Sequence, residues 1–487
     1  MTKELKRLSL LVLVMFLALF GSVTVIQGVQ TDNLAENPAN TRARYDSYEI
    51  QRGSIIASGT AIASSVPSND VYSFNRQYVD AKIWAPVTGY FNAALGASTG
   101  IEKELNSTLA GTSGSQFFQR LDQLLSGQSP RGSSVELTLD ASVQKAAYEA
   151  LGDLQGAVVA IEPKTGRILA MVSTPSFDTN QLATHDTNAA NAFYDQLVAD
   201  PNKPLFNRAI GGDLNPPGST FKLVVAAAAL ESGDYTASST LPNPATITLP
   251  QSNSVVSNAS GTTCGTGKTV TIADALRLSC NVPMAELAMK LGDDAIRATA
   301  EKFGFNSTVT TPLESTASVY PRSISDEATT GLSGFGQTDV RATPLQMAMV
   351  SAAIANGGAL MKPTMIDDIL APDLSPQENP FPSGQKIDDA ISPETAKALV
   401  QMMVANVSNG VASGARIDGI DVAGKTGTAQ NDDNPYSLWF TGFAPASDPK
   451  VAVAVVVENG GGEGQTGSGD AIAAPIAKQV MEAVLNK

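Results

Sequence analysis

Apolar residues run almost unbroken over positions 8–26, about the length needed to cross a bilayer, and carry no charge to set one face against another. Lys3, Lys6 and Arg7 precede the run, so the positive-inside rule predicts a cytoplasmic tail (1–7), a transmembrane anchor (8–27) and an exported remainder. A cleaved signal peptide is the competing reading; the run is long for one, and Val25-Ile26-Gln27-Gly28 lacks an A-x-A cleavage pattern. After a polar juxtamembrane stretch, 31–44, the pattern shortens. Residues 48–63 read as a strand, a Ser58-Gly59 turn and a returning strand. Residues 72–132 mix brief apolar runs with turns and bring no chemical groups together, which predicts a small mixed α/β pedestal ending in the linker Arg131-Gly132-Ser133-Ser134.

A larger unit, 135–487, begins at Val135-Glu136-Leu137-Thr138-Leu139-Asp140 and continues into a helix with apolar Val143, Ala146, Ala147, Ala150 and Leu151. Residues 156–162 and 167–172 predict a hairpin across Pro163-Lys164-Thr165-Gly166. Helical and loop material fills the middle. Residues 420–429, 437–443 and 451–458 are short, β-rich and separated by turn residues, which predicts an antiparallel meander with a closing helix over 471–485. Strands at both ends of the unit and helices between them define an α+β domain whose sheet is assembled from distant parts of the chain.

Charge and composition narrow the function. A net charge of −15 over 487 residues argues against a nucleic-acid partner. One histidine, His185, lies in a loop and makes a Ser-His-Asp triad a poor expectation. Two cysteines cannot build a Cys-rich zinc site and there is no H-E-x-x-H, so neither metal nor cofactor is expected.

Candidate chemistry centres on Pro216-Pro217-Gly218-Ser219-Thr220-Phe221-Lys222. The prolines and glycine deliver Ser219 to the start of a buried helix, and Lys222, one turn on, shares its face. A desolvated lysine there can lose its proton near neutral pH and take that of the serine; a helix cap beside a snorkelling lysine is the plainer alternative. Ser279-Cys280-Asn281 offers a hydroxyl and an amide at a helix junction, or Asn281 only caps the next helix. Lys425-Thr426-Gly427-Thr428 lies on the first strand of the meander, where the glycine would let a substrate backbone approach and Lys425 would attract a carboxylate. Two decoys accompany it. Lys164-Thr165-Gly166 repeats the triplet in a hairpin turn, and residues 419–426 satisfy the phosphate-loop pattern G-x-x-x-x-G-K-[ST] without the helix that pattern requires.

The order S-x-x-K, S-x-N, K-T-G along one chain matches the long-recognised motif set of penicillin-binding proteins and class A β-lactamases. The chain resembles a class B penicillin-binding protein, most of all the actinobacterial penicillin-binding protein A group. Arg52-Gly53-x-Ile55, Gly100-Ile101-Glu102, Leu137-Thr138-Leu139-Asp140, Phe206-Asn207-Arg208-Ala209, Gly336-Gln337, Thr343-Pro344-Leu345-Gln346 and Trp439-Phe440 carry the likeness beside the three motifs. One departure is Ala57-Ser58-Gly59-Thr60, where many relatives have a D-R-N-G turn. The resemblance implies the transpeptidase fold, an antiparallel sheet of about five strands flanked by helices with an all-helical subregion. It also implies a D,D-transpeptidase that cross-links peptidoglycan stem peptides and is acylated by β-lactams. Ser219 would be the nucleophile, Lys222 the acylation base, Ser279 a proton relay and Asn281 a holder of Lys222 and the substrate amide. Lys425 and Thr426 would bind the terminal carboxylate, and the amides of Ser219 and Thr428 would form the oxyanion hole.

About a hundred residues between anchor and transpeptidase leave no room for a glycosyltransferase, so glycan would come from a separate enzyme, with division or elongation membrane proteins as further partners. Cys264 and Cys280 would be bridged if the chain is exported, with two free thiols as the alternative. Three other readings stay open: a D,D-carboxypeptidase, a penicillin sensor and a division scaffold without turnover.

Overall fold

The computed structural model describes residues 2–28, 30, 34, 50–116, 131–324, 326–431 and 434–487. The juxtamembrane stretch 31–44, apart from Leu34, and the start of the first expected strand, Tyr48 and Glu49, lie outside them. Helix α1 (Thr2–Gly28) contains the apolar run, with a mean hydropathy of 2.6 over its best window, and among the described residues it alone is long and apolar enough to cross a membrane.

Strand β1 (Ile55–Ala57) starts later than the sequence pattern predicts, because Arg52 turns inward and Gly53 passes against another chain segment. A Cβ on Gly53 would stand 1.9 Å from the Ser133 carbonyl oxygen. Ser58 and Gly59 both have positive φ, the geometry of a tight hairpin turn, and lead into β2 (Thr60–Pro67). Next come β3 (Phe74–Tyr78), paired with β2, and the short helix α2 (Gly100–Glu104). Arg52 and Glu102 from the two family signposts meet in a closed cluster. The fully buried Glu102 carboxylate accepts from Arg52 Nη2 (2.9 Å), Arg76 Nε and the Tyr78 hydroxyl (3.1 Å), while Arg76 Nη1 donates to Gly53 O (2.8 Å). Burial works to raise the Glu102 pKa, but Arg76 and Arg52 outweigh it and hold the carboxyl below its usual range.

The expected linker is not free. Ser134 opens β4 (Ser134–Leu137), which lies parallel to β1. Helix α3 (Ala141–Leu151), capped by Asp140, is followed by the expected hairpin, β5 (Gly156–Ile161) and β6 (Ile168–Thr174). The middle of the chain holds α4 (Lys222–Glu231), α5 (Ile272–Arg277), α6 (Asn281–Leu291) and α7 (Pro344–Ala355). Strand β7 (Ile366–Leu370), unanticipated in the pattern, pairs antiparallel with β4. The N-terminal sheet therefore has six strands, in the order Pro376–Gln377, β7, β4, β1, β2, β3, and draws on both sides of residue 134.

Helix α8 (Pro393–Asn409) precedes the meander β8 (Ala423–Asn431), β9 (Asn434–Ala444) and β10 (Val451–Val457), and α9 (Ala473–Leu485) closes the chain. These strands and the early hairpin form one five-stranded antiparallel sheet, ordered β8-β9-β10-β5-β6. Alternation decides its two faces. Ala452, Ala454 and Val456 of β10 join the core that contains α7, and Val451, Val453, Val455 and Val457 join the core of α3 and α9. Both faces are covered, which is why β10 reads as a continuous apolar run. The meander places β8 at a sheet edge, against α8 and the Gly218–Phe221 turn that precedes α4.

Removing one partner from a buried ion cluster leaves uncompensated charge, so Glu102→Ala is expected to cost about 3–5 kcal/mol in denaturant unfolding. Because the carboxyl titrates low, the stability it contributes is complete above the usual carboxylate pKa and is lost as pH falls through the lowered value. A change below about 1 kcal/mol would show that the cluster does not hold this region together.

Candidate functional site

The nucleophile candidate does not begin an α-helix. Gly218–Phe221 forms a 3-10 turn and α4 starts only at Lys222. Gly218 has φ +53° and donates its N–H to Gly336 O (3.1 Å); a Cβ on Gly336 would meet Gly218 O at 2.2 Å, so the two glycines of Pro217-Gly218-Ser219 and Gly336-Gln337 permit one close crossing. Side chains three apart eclipse in a 3-10 turn, which keeps Ser219 and Lys222 on one face. Ser219 is half-buried, and its hydroxyl makes no hydrogen bond among the described residues. Lys222 is fully buried, and its amine donates to Ser279 O (2.7 Å) and Asn281 Oδ1 (2.8 Å) rather than to Ser219. Burial, and secondly the charge of Lys425, push its pKa well below that of an ordinary lysine.

Helix α5 ends at Arg277, and two residues later Ser279 adopts φ +55°, a left-handed conformation that is uncommon for a residue with a side chain. That conformation lets one residue serve two amines, since its carbonyl accepts from Lys222 and its hydroxyl accepts from Lys425 Nζ (2.7 Å). Asn281 is not the helix cap; Cys280 holds that position, and the Asn281 amide nitrogen donates to Ser257 O (3.1 Å). Cys280 is joined to Cys264 by a disulfide with Cα atoms 5.8 Å apart, and Asn243 fixes Cys264 through both its backbone N–H (2.7 Å) and C=O (2.9 Å).

Sequence reasoning passed over Asn406. Fully buried on α8, it donates to Leu276 O (3.3 Å) and Arg277 O (2.7 Å), the carbonyls that lead into Ser279. The signal was a polar residue in register with Leu399, Met402 and Met403, at i+7, i+4 and i+3 on the apolar face.

Lys425, Thr426, Gly427 and Thr428 lie on edge strand β8. Lys425 is fully buried, donates also to Thr426 O (2.9 Å), and is lowered by burial to about 7. Thr426 Oγ1 donates to Val411 O (3.3 Å), and Thr428 Oγ1 accepts from Gly469 N (3.2 Å). At Gly427 the structure shows a packing reason for glycine as well. A Cβ there would stand 2.8 Å from Pro217 O and 3.1 Å from Thr220 Cγ2, so the missing side chain seats β8 on the Ser219 turn. Lys164-Thr165-Gly166 is a hairpin turn with Gly166 at φ +75°; a strand runs through the end of the phosphate-loop pattern; and His185 is bound to Asp70 and packs on Tyr72.

A five-stranded sheet whose edge carries K-T-G beside S-x-x-K and S-x-N defines a serine acyltransferase of the penicillin-binding kind. Residues 156–482 match the penicillin binding protein transpeptidase domain and residues 52–135 the penicillin binding protein A dimerisation domain. The chain belongs to the class B penicillin-binding protein transpeptidases. It is 39% identical, over the whole of both chains, to the peptidoglycan D,D-transpeptidase PbpA of Mycolicibacterium smegmatis. It also superposes on penicillin-binding protein A of M. tuberculosis in its ceftriaxone acyl-enzyme complex, with TM-score 0.87, 38% identity, and coverage of 91% of this chain and 100% of that one. The penicillin G acyl-enzyme complex of the same protein gives TM-score 0.84 at 38% identity, covering 89% and 99%.

Gly427→Ala, by pushing β8 off the Ser219 turn, is expected to lower the second-order rate of acylation by a β-lactam by about 10- to 100-fold, since an ångström of misplacement suffices for that. An acylation rate equal to wild type would show that the strand does not set the turn.

Proposed function

We propose that Ser219 is the nucleophile with which this peptidoglycan D,D-transpeptidase forms its acyl-enzyme, on stem peptides and β-lactams alike. The observation that carries the reading is the hydrogen-bonded chain from Lys222 through Ser279 to Lys425, which brings all three motifs to the Ser219 turn. The neutral Lys222 amine takes the Ser219 proton as Oγ attacks the carbonyl between the two terminal D-alanines. Negative charge develops on the carbonyl oxygen, and the amides of Ser219 and Thr428 receive it. As the C–N bond breaks, the proton taken by Lys222 is relayed through Ser279 to the departing amine, which leaves Lys222 neutral and Ser279 a hydroxyl again, and the terminal D-alanine leaves. Protonated Lys425 and Thr426 hold its carboxylate, and Asn281 keeps Lys222 in place. An acceptor amine from a neighbouring strand then attacks the ester, gives up its proton and restores Ser219.

In this reading, residues 1–7 are cytoplasmic, α1 anchors the chain, and the non-catalytic unit 28–134 raises the transpeptidase unit 135–487 on the outer side. A separate glycosyltransferase supplies the glycan, and membrane proteins of division or elongation are its neighbours.

Fluorescent penicillin should label the wild type and leave Ser219→Ala unlabelled; persistent labelling would remove Ser219 from the role. A stem-peptide donor and an acceptor amine should yield cross-linked product, whereas release of D-alanine alone would point to a carboxypeptidase. The pH profile supplies a second check. Acylation needs neutral Lys222, so its rate rises with pH through that pKa. Lys425→Met removes one of the two influences that depress Lys222, so Lys222 keeps its proton to higher pH and the acid limb moves upward. A limb that stays or moves downward would contradict the coupling.

A further inference from the structure

The signpost Phe206-Asn207-Arg208-Ala209 has no part in the chemistry above, yet Arg208 is buried at 5% exposure and fully engaged. Its Nη1 and Nη2 donate to Lys203 O (3.2 Å) and Asn202 O (2.7 Å), and its Nε donates to Glu458 Oε2 (2.9 Å). Glu458 directly follows β10. The same carboxylate accepts from Gln155 Nε2 (2.7 Å) and, through Oε1, from Asn215 Nδ2 (2.9 Å). Asn215 in turn accepts from the buried Ser437 hydroxyl at Oδ1 (2.7 Å) and from Ala342 N at its carbonyl (2.9 Å).

Asn215 stands four residues before Ser219. The two residues after it, Pro216 and Pro217, have no N–H, so that stretch cannot be fixed through its own amides. It is held instead through its carbonyls, as Trp439 Nε1 donates to Pro216 O (2.9 Å), and through the Asn215 side chain. A nearly desolvated ion pair such as Arg208–Glu458, with side chains 4% and 14% exposed, is a weak source of net stability but a strong geometric constraint when every partner is satisfied.

We propose that Glu458, held by Arg208 and acting through Asn215, is a positioning residue that sets the entry of the chain into the Ser219 turn. The proposal rests on Ser219 being the nucleophile. Its consequence is kinetic: a displaced Ser219 slows attack on the bound β-lactam while the non-covalent complex forms as before.

Stopped-flow acylation of Asn215→Ala, Glu458→Gln, Ser437→Ala and the Asn215→Ala/Glu458→Gln double variant separates the dissociation constant of the initial complex from the acylation rate constant. Thermal melting and the stoichiometry of labelling are read on the same samples. For Asn215→Ala the acylation rate constant should fall about 10- to 100-fold while the dissociation constant stays within about twofold. The double variant should be no slower than the slower single, because both act through one contact. Ser437→Ala removes one hydroxyl and should give a smaller loss in the same constant; it carries the test if Asn215→Ala does not fold. Acylation rate constants equal to wild type in folded variants, losses that multiply in the double variant, or losses matched by a reduced labelled fraction would each overturn the proposal. Labelling that survives Ser219→Ala would instead overturn the nucleophile assignment, and the two failures are read separately.

Discussion

Two lysine amines withdrawn from water within one hydrogen-bonded chain are the constraint on which the rest of this molecule depends. A buried ammonium without compensation is costly enough that the group gives up its proton instead, and both amines here are displaced in that direction. At Lys222 the like charge of Lys425 adds to the effect of burial. In the proposed reading Lys222 takes the Ser219 proton, and Lys425, at about 7, holds one for the substrate carboxylate. Ser279 makes the pairing possible by offering its carbonyl to one amine and its hydroxyl to the other from a left-handed backbone.

That arrangement is kept by elements that do no chemistry. Asn406 holds the carbonyls that lead to Ser279, and the Cys264–Cys280 bridge ties the middle of S-x-N to a segment secured by Asn243. Trp439 and Gly427 bring the sheet edge and the Ser219 turn into contact, the first by a hydrogen bond and the second by the absence of a side chain. Far from the site, the Arg52–Glu102–Arg76 cluster closes the N-terminal sheet, and β7 ties that sheet to the transpeptidase unit. An observed strain such as the Ser279 backbone can persist only where its surroundings over-determine it, and here they come from several distant segments.

Local pattern made much of this legible. The hairpin β5–β6, the meander β8–β9–β10 and the closing helix fall within a few residues of where alternation and turn chemistry predict them, because strands buried on both faces leave a long apolar record. Pairings between distant segments left little record. Strand β7 carries two aspartates and reads poorly as a strand until β4 provides its partner. The supposed linker at 131–134 runs straight into strand at Ser134 for the same reason, and Arg52 delays the start of the expected first strand because its side chain is needed inside.

The sequence by itself determined the three motifs, their order, the apolar N-terminal helix and the α+β class, since each depends on residue type, spacing or period. Only the tertiary structure decided what each group touches. Between the two readings of Asn281 it chose the partner of Lys222 over the helix cap, and it gave the Lys222 amine to Ser279 and Asn281 instead of to Ser219. It also made Gly427 a packing residue and gave roles to Asn406, Asn215 and Glu458. The physical reason is one of range. Propensity and periodicity act within a turn or a strand, whereas the directions of buried hydrogen bonds are set by segments hundreds of residues apart that meet only when the sheet and its helices close.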